Sequence, residues 1–221
     1  MHQVELLNLS ASSQYPMRRK EEIERALSTL SRRMALSGTQ DLEVLCCGAS
    51  ALCVLGLLSR STMDVDVLGI ISGDKEVEPC EHFSPEMEAA IAESGREVGL
   101  PDDWFNGSAS TLLQHALPIG ALERSKKHRK EFGPCLVVRF LDRMDQVALK
   151  LFAAMDPKDG QRHLRDLEEI SPTRAEIIHA ITWMMGWKSN QAFRDRLAYL
   201  VEGFDFPDLA ESIRTIPERL V

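Results

Sequence analysis

The 221-residue sequence predicts an α+β fold on three observations. Leu42 to Ile71 reads as strand, tight glycine turn, apolar helix, polar turn and second strand, and Cys135 to Leu141, CLVVRFL, is a further β-run between Gly133-Pro134 and Asp142. After about Met155 the pattern is helical throughout. An apolar content of 44% is enough to bury a core in a chain of this length.

In chain order, Arg18 to Ser37 sets Ile23, Ala26, Leu27, Leu30, Met34 and Leu36 along one helical stripe that Gly38 ends. Leu42 to Cys47 is a short buried strand, and Ala49 to Leu58 a helix apolar on nearly all sides, as expected of an element packed on a sheet and covered by others. Ser59 to Thr62 turns into Met63 to Ile71, where acidic and apolar residues alternate. Ser72 to Pro79 reads as a polar connection, and Ser84-Pro85 starts a helix that carries Met87, Ile91 and Val98. In the loop Gly99 to Gly107, Trp104 is expected to anchor to the core rather than to stack on a base. Helices follow at Arg143 to Met155, Arg162 to Ile170, Pro172 to Trp187, Gln191 to Val201 and Pro207 to Ile213. A boundary near Met155 to Gly160 divides residues 1–156, a core with its N-terminal helix, from a helical region at 157–221.

The formal charge of −8 argues against a surface devoted to long nucleic acid, because phosphate neutralisation supplies most of that affinity. Arg124 to Lys130, RSKKHRK, is a basic island that reads either as a solvated loop or strand edge, or as a contact to phosphates of a nucleotide or an RNA end. No apolar run reaches the roughly 18 residues of a membrane span, so no membrane partner is expected, and the N-terminal stretch lacks the order of a secretory signal, which favours the cytoplasm. Five cysteines without a CxxC spacing read as reduced, largely buried thiols.

Asp64 and Asp66 are separated by one residue on an expected strand, so they point to one face, where their repulsion favours a divalent cation. Gly48, 16 residues before Asp64, opens a turn and helix whose backbone N–H groups can receive a phosphate. An acidic pair and a phosphate cradle joined by one helix suggest chemistry on a nucleoside triphosphate. Lys150 interrupts an apolar helical pattern, which alone reads as a lysine that snorkels to the surface.

The set Gly48-Ala49-Ser50-Ala51, Arg60-Ser61-Thr62 and Asp64-Val65-Asp66 resembles the signature of the nucleotidyltransferase superfamily with the DNA polymerase beta-like palm, and is similar to its bacterial abortive-infection toxin-like branch. Lys150-Leu151-Phe152-Ala153-Ala154, Arg162, Arg165-Asp166-Leu167 and the Leu100 to Asn106 loop extend the resemblance over about Leu42 to Ile170. It implies a small mixed β-sheet with flanking helices and a helical C-terminal region that helps close a nucleotide cleft. It also implies Asp64 and Asp66 as ligands of Mg²⁺, or of Mn²⁺, and contacts to the nucleotide from Gly48, Ala49, Ser50, Arg60 and Thr62. Lys150 would neutralise phosphate charge, and Asp166 would help place substrate or metal. The implied reaction moves a nucleoside monophosphate to a hydroxyl of an RNA end, a protein or a small molecule; an antitoxin protein is the implied partner. A catalytically silent nucleotide-binding or regulatory protein is the alternative. It is motivated by the missing third carboxylate: Leu136 to Leu141 holds no acid, which leaves Asp142, Asp145 and Asp166 as candidates.

Overall fold

The computed structural model describes residues 20–73, 76–186 and 190–216. The N-terminal stretch, including the expected helix start at Arg18, and the expected helix end at Trp187 lie outside them. The chain is mixed α and β, as the sequence predicts. Helix α1 (Lys20–Ser37) leads into strand β1 (Leu42–Cys47), helix α2 (Gly48–Val54) and strand β2 (Val65–Ser72). Strand β3 (Glu76–Pro79), helix α3 (Pro85–Val98) and strand β4 (Phe105–Asn106) follow, then a 3-10 helix over Ser108–His115. Helix α4 (Ala121–Ser125) and a 3-10 turn at Lys126–His128 lead to strands β5 (Arg129–Glu131) and β6 (Leu136–Phe140). Five helices complete the described chain: α5 (Arg143–Ala154), α6 (Gly160–Ile170), α7 (Arg174–Met185), α8 (Gln191–Glu202) and α9 (Pro207–Thr215).

The sheet runs β3-β2-β1-β6-β5, with β4 beside the start of β2. β1 is antiparallel to β2 and parallel to β6, so the sheet is mixed. Alternation along the strands divides the core. Val44 and Cys46 of β1, Val65 and Val67 of β2, and Val138 and Phe140 of β6 join the main cluster with α1, α2 and α3. Leu45, Cys47, Leu68 and Leu141 turn the other way and pack with Ala121 and Leu149. Asp66 lies between Val65 and Val67 and opposite Cys47, so it belongs to this second face.

Where expectation and structure differ, local chemistry explains it. The connection Ser72 to Pro79 contains β3, an edge strand whose exposed Glu76 and Glu78 hide the β signal. α2 ends at Val54, and its capping amides close the turn at Leu55 and Gly56 (φ +72°), so Leu57 and Leu58 pack as loop residues. Leu36 is 74% exposed, outside the buried stripe of Ile23, Ala26, Leu27, Leu30 and Met34. Trp104 is fully buried and donates through Nε1 to the Ile91 carbonyl at 3.1 Å and Ser94 Oγ at 3.2 Å, an anchor as expected. The cysteines are free thiols, and all but Cys135 are buried. Among the described residues, no helix is long and apolar enough to cross a membrane.

The basic island spans the end of α4, the 3-10 turn and the edge strand β5. Arg124 pairs with Asp145, Lys126 with Glu123, His128 with Asp142, Arg129 with Glu43 and Glu131, and Lys130 with Glu24. Carboxylates thus compensate most of its charge, in line with the strand-edge reading.

Candidate active site

A cleft of about 430 Å³ opens on the second face of the sheet, between the end of β1, the 3-10 helix, α5 and the start of α6. Gly48, Asp66, Gln146, Lys150, Arg162 and His163 bring its polar groups together, and Leu112 and Leu149 supply apolar wall.

Gly48 has φ +80°, and a Cβ built on it would lie 2.0 Å from Asp66 Oδ2. Only glycine permits both the left-handed turn and this approach of the carboxylate. Gly48→Ala is therefore expected to destabilise the protein by about 2 kcal/mol. Gly56→Ala, at φ +72° with nothing within 4 Å of its Cβ, isolates the backbone strain and should lose about half as much. Urea unfolding of both variants measures the difference; equal losses would remove the crowding at Asp66.

Asp64 sits exposed just before β2, and its Oδ1 accepts the Thr62 hydroxyl at 2.8 Å. Burial, and then the neighbouring Asp64 charge, push the Asp66 carboxyl up to about 6. Thr62 is itself buried and bonds Asp64 rather than lining the cleft.

Lys150 is only 6% exposed and donates from Nζ to Asp166 Oδ2 at 2.6 Å. Snorkelling does not describe it. Arg60 reaches the same carboxylate with two bonds, Nε to Oδ1 at 2.5 Å and Nη2 to Oδ2 at 3.0 Å. Burial pushes the Asp166 carboxyl up, but the Arg60 and Lys150 hydrogen bonds outweigh it and hold Asp166 below the ordinary carboxylate range. With both oxygens engaged, Asp166 positions Lys150 and Arg60. These bonds tie α5 and the loop before β2 to α6, across the line at residue 156.

The structure brings Gly48, Asp66 and Lys150 into one cleft; Asp64 lies just before β2 rather than on it and does not line the cleft. Ala49 and Ser50 are buried in α2 and do not line the cleft; Ser50 Oγ is buried without a hydrogen-bond partner. The candidate third acids are all held elsewhere. Asp142 caps α5 through the Met144 amide and meets His128. Asp145 is fully buried under Arg124 and His179, and Asp166 is held as above. Just after β6, Leu141 donates its N–H to the Cys46 carbonyl at 3.0 Å and packs with Cys47, so an apolar side chain stands there. Among the described residues, no three His, Cys, Asp or Glu side chains converge on one point that could hold a metal ion. Asp64 is close enough for its charge to disfavour ionised Asp66, and one or two carboxylates together with substrate phosphates are the kind of ligand set that Mg²⁺ takes.

Sequence reasoning missed Gln146 and His163. Gln146 Oε1 accepts the Gly48 N–H at 3.2 Å, and its place one helical turn before Lys150 was the available signal. His163 Nε2 accepts from Arg162 Nε at 3.2 Å, and burial followed by the Lys150 and Arg162 charges pulls its ring down to about 4. Comparison with protein-family models, with curated proteins and with solved structures returned no match.

Proposed function

We propose that the protein is a Mg²⁺-dependent nucleotidyltransferase that moves a nucleoside monophosphate from a nucleoside triphosphate to a hydroxyl acceptor. One observation carries this proposal: Asp66, crowded against a glycine that has no Cβ, is a carboxylate whose ionised form is disfavoured by burial and by Asp64, in a cleft that also holds the Lys150 ammonium. Such a pair is stabilised by a divalent cation.

Asp64 and Asp66 would hold the ion, which supplies charge neutralisation on the triphosphate and a lowered pKa for the acceptor hydroxyl. Thr62 fixes the Asp64 carboxylate through its hydroxyl. Lys150, held by Asp166, offers its ammonium to the phosphate chain, and the apolar wall of Leu112 and Leu149 keeps water from that side. The acceptor oxygen forms a bond to the α-phosphorus, the bond from that phosphorus to the β-bridging oxygen breaks, pyrophosphate leaves and the hydroxyl proton passes to solvent.

The test is transfer from labelled triphosphates with Mg²⁺ or Mn²⁺ to RNA, protein and small-molecule acceptors. Asp64→Ala and Asp66→Ala are expected to abolish it; transfer equal to wild type would remove the site. A second reading, a nucleotide-binding protein without turnover, is favoured by apolar Leu141 at the end of β6 and by the commitment of Asp142, Asp145 and Asp166 to other partners. Calorimetric binding of triphosphate with Mg²⁺, but no transfer to any acceptor, would favour it.

A further inference from the structure

Gln146 is 1% exposed and lines the cleft beside Gly48 and Lys150. The Gly48 N–H can only donate, so the carboxamide has one allowed orientation, with Oε1 toward Gly48 and Nε2 away from it. Nε2 is buried, carries two N–H bonds and has no hydrogen-bond partner. Native structures rarely leave such a donor unsatisfied. His163 repeats the pattern from α6. Its Nε2 accepts from Arg162, so the ring proton of the neutral imidazole sits on Nδ1, and Nδ1 is buried without a partner.

Two buried neutral donors without acceptors thus belong to side chains that line the cleft with Lys150. A cation at either position would draw on Asp66 and compete with a divalent ion there; an amide and a neutral imidazole bind oxygen without doing so. We infer that Gln146 Nε2 and His163 Nδ1 are a donor pair for phosphoryl oxygens of a polyphosphate ligand, with Gln146 the principal contact. This inference rests on the nucleotide reading above and extends it to residues that the acidic motif does not include.

The test uses the full chain, inorganic tripolyphosphate and Mg²⁺. The side-chain amide resonances of Gln146 are the ¹H–¹⁵N pair that disappears in Gln146→Glu, and they should move downfield as wild type is saturated. Gln146→Glu keeps an acceptor for the Gly48 N–H and loses the donor; Gln146→Met loses both without adding charge. Each variant, with its fold checked by thermal unfolding, should bind tripolyphosphate about tenfold or more weaker by calorimetry. Unmoved amide resonances at saturation, or wild-type affinity in Gln146→Met, would overturn the donor role while leaving the nucleotide reading standing. If wild type binds neither tripolyphosphate nor nucleoside triphosphate, both fall together.

Discussion

Asp166→Ala is expected to lower stability by about 3–5 kcal/mol, the range for removing one partner of a buried ion pair. The carboxylate is 1% exposed and takes Lys150 on one oxygen and the Arg60 fork across both. Its cations differ in what they can do once it is gone. The Arg60 side chain is 42% exposed and can turn to water, whereas the Lys150 side chain is only 7% exposed. Most of the loss therefore comes from an ammonium left without its carboxylate, and Lys150→Met in the same chain should recover much of it. The folded pKa of Asp166 is lowered, so the stability it contributes is present above the unfolded value near 3.8 and is lost as pH falls through the folded value. Urea midpoints at pH 7 for the two single variants and the double variant measure this coupling. A loss under about 1 kcal/mol in Asp166→Ala would mean that the pair is solvated.

How much of this could be read from the sequence depends on where each signal resides. The strands with one apolar face, β1, β2 and β6, were legible because burial imposes a period of two. β3 and β5 were not: their segments, EVEP and RKE, are edge strands whose charges protect an open edge and erase the pattern. β4 is two residues long and exists through its pairing of Phe105 and Asn106 with Val65 and Asp66. At the site, the acidic pair, Gly48 and Lys150 stood out as residue types out of place in apolar surroundings. Arg60 and Thr62 entered only through the resemblance, as nucleotide contacts; neither lines the cleft, and their attachments to Asp166 and Asp64 required the fold. Gln146 and His163 break no local rule. A buried amide becomes conspicuous only when its partner, the Gly48 N–H, arrives from 98 residues away.

Asp66→Asn should raise stability at pH 7 by up to about 3 kcal/mol, the equivalent of about two pKa units, although it removes a proposed metal ligand. Asp66 has a folded pKa raised from 3.8 to about 6, so the native state takes up its proton before the unfolded chain does. Its ionised form lowers stability above about pH 6, and stability returns as pH falls toward 4. His163 has the opposite sign. Its folded pKa is lowered from 6.5 to about 4, so the unfolded chain takes the proton first and stability is lost as pH falls from 6.5 toward 4. Across pH 4–6 the two slopes oppose each other in the wild type. Asp66→Asn should expose the His163 slope, with its advantage over wild type fading toward pH 4.5. His163→Gln should leave the Asp66 slope, and its advantage over wild type should grow as pH falls. Denaturant midpoints at pH 7, 6, 5 and 4.5, taken as differences from wild type, separate these two groups from the other carboxylates. Differences that stay constant with pH would show that neither side chain titrates in the environment described. Mg²⁺ should raise the wild-type midpoint at pH 7 and leave Asp66→Asn unchanged, because the charge repulsion that the ion relieves is already gone in the amide.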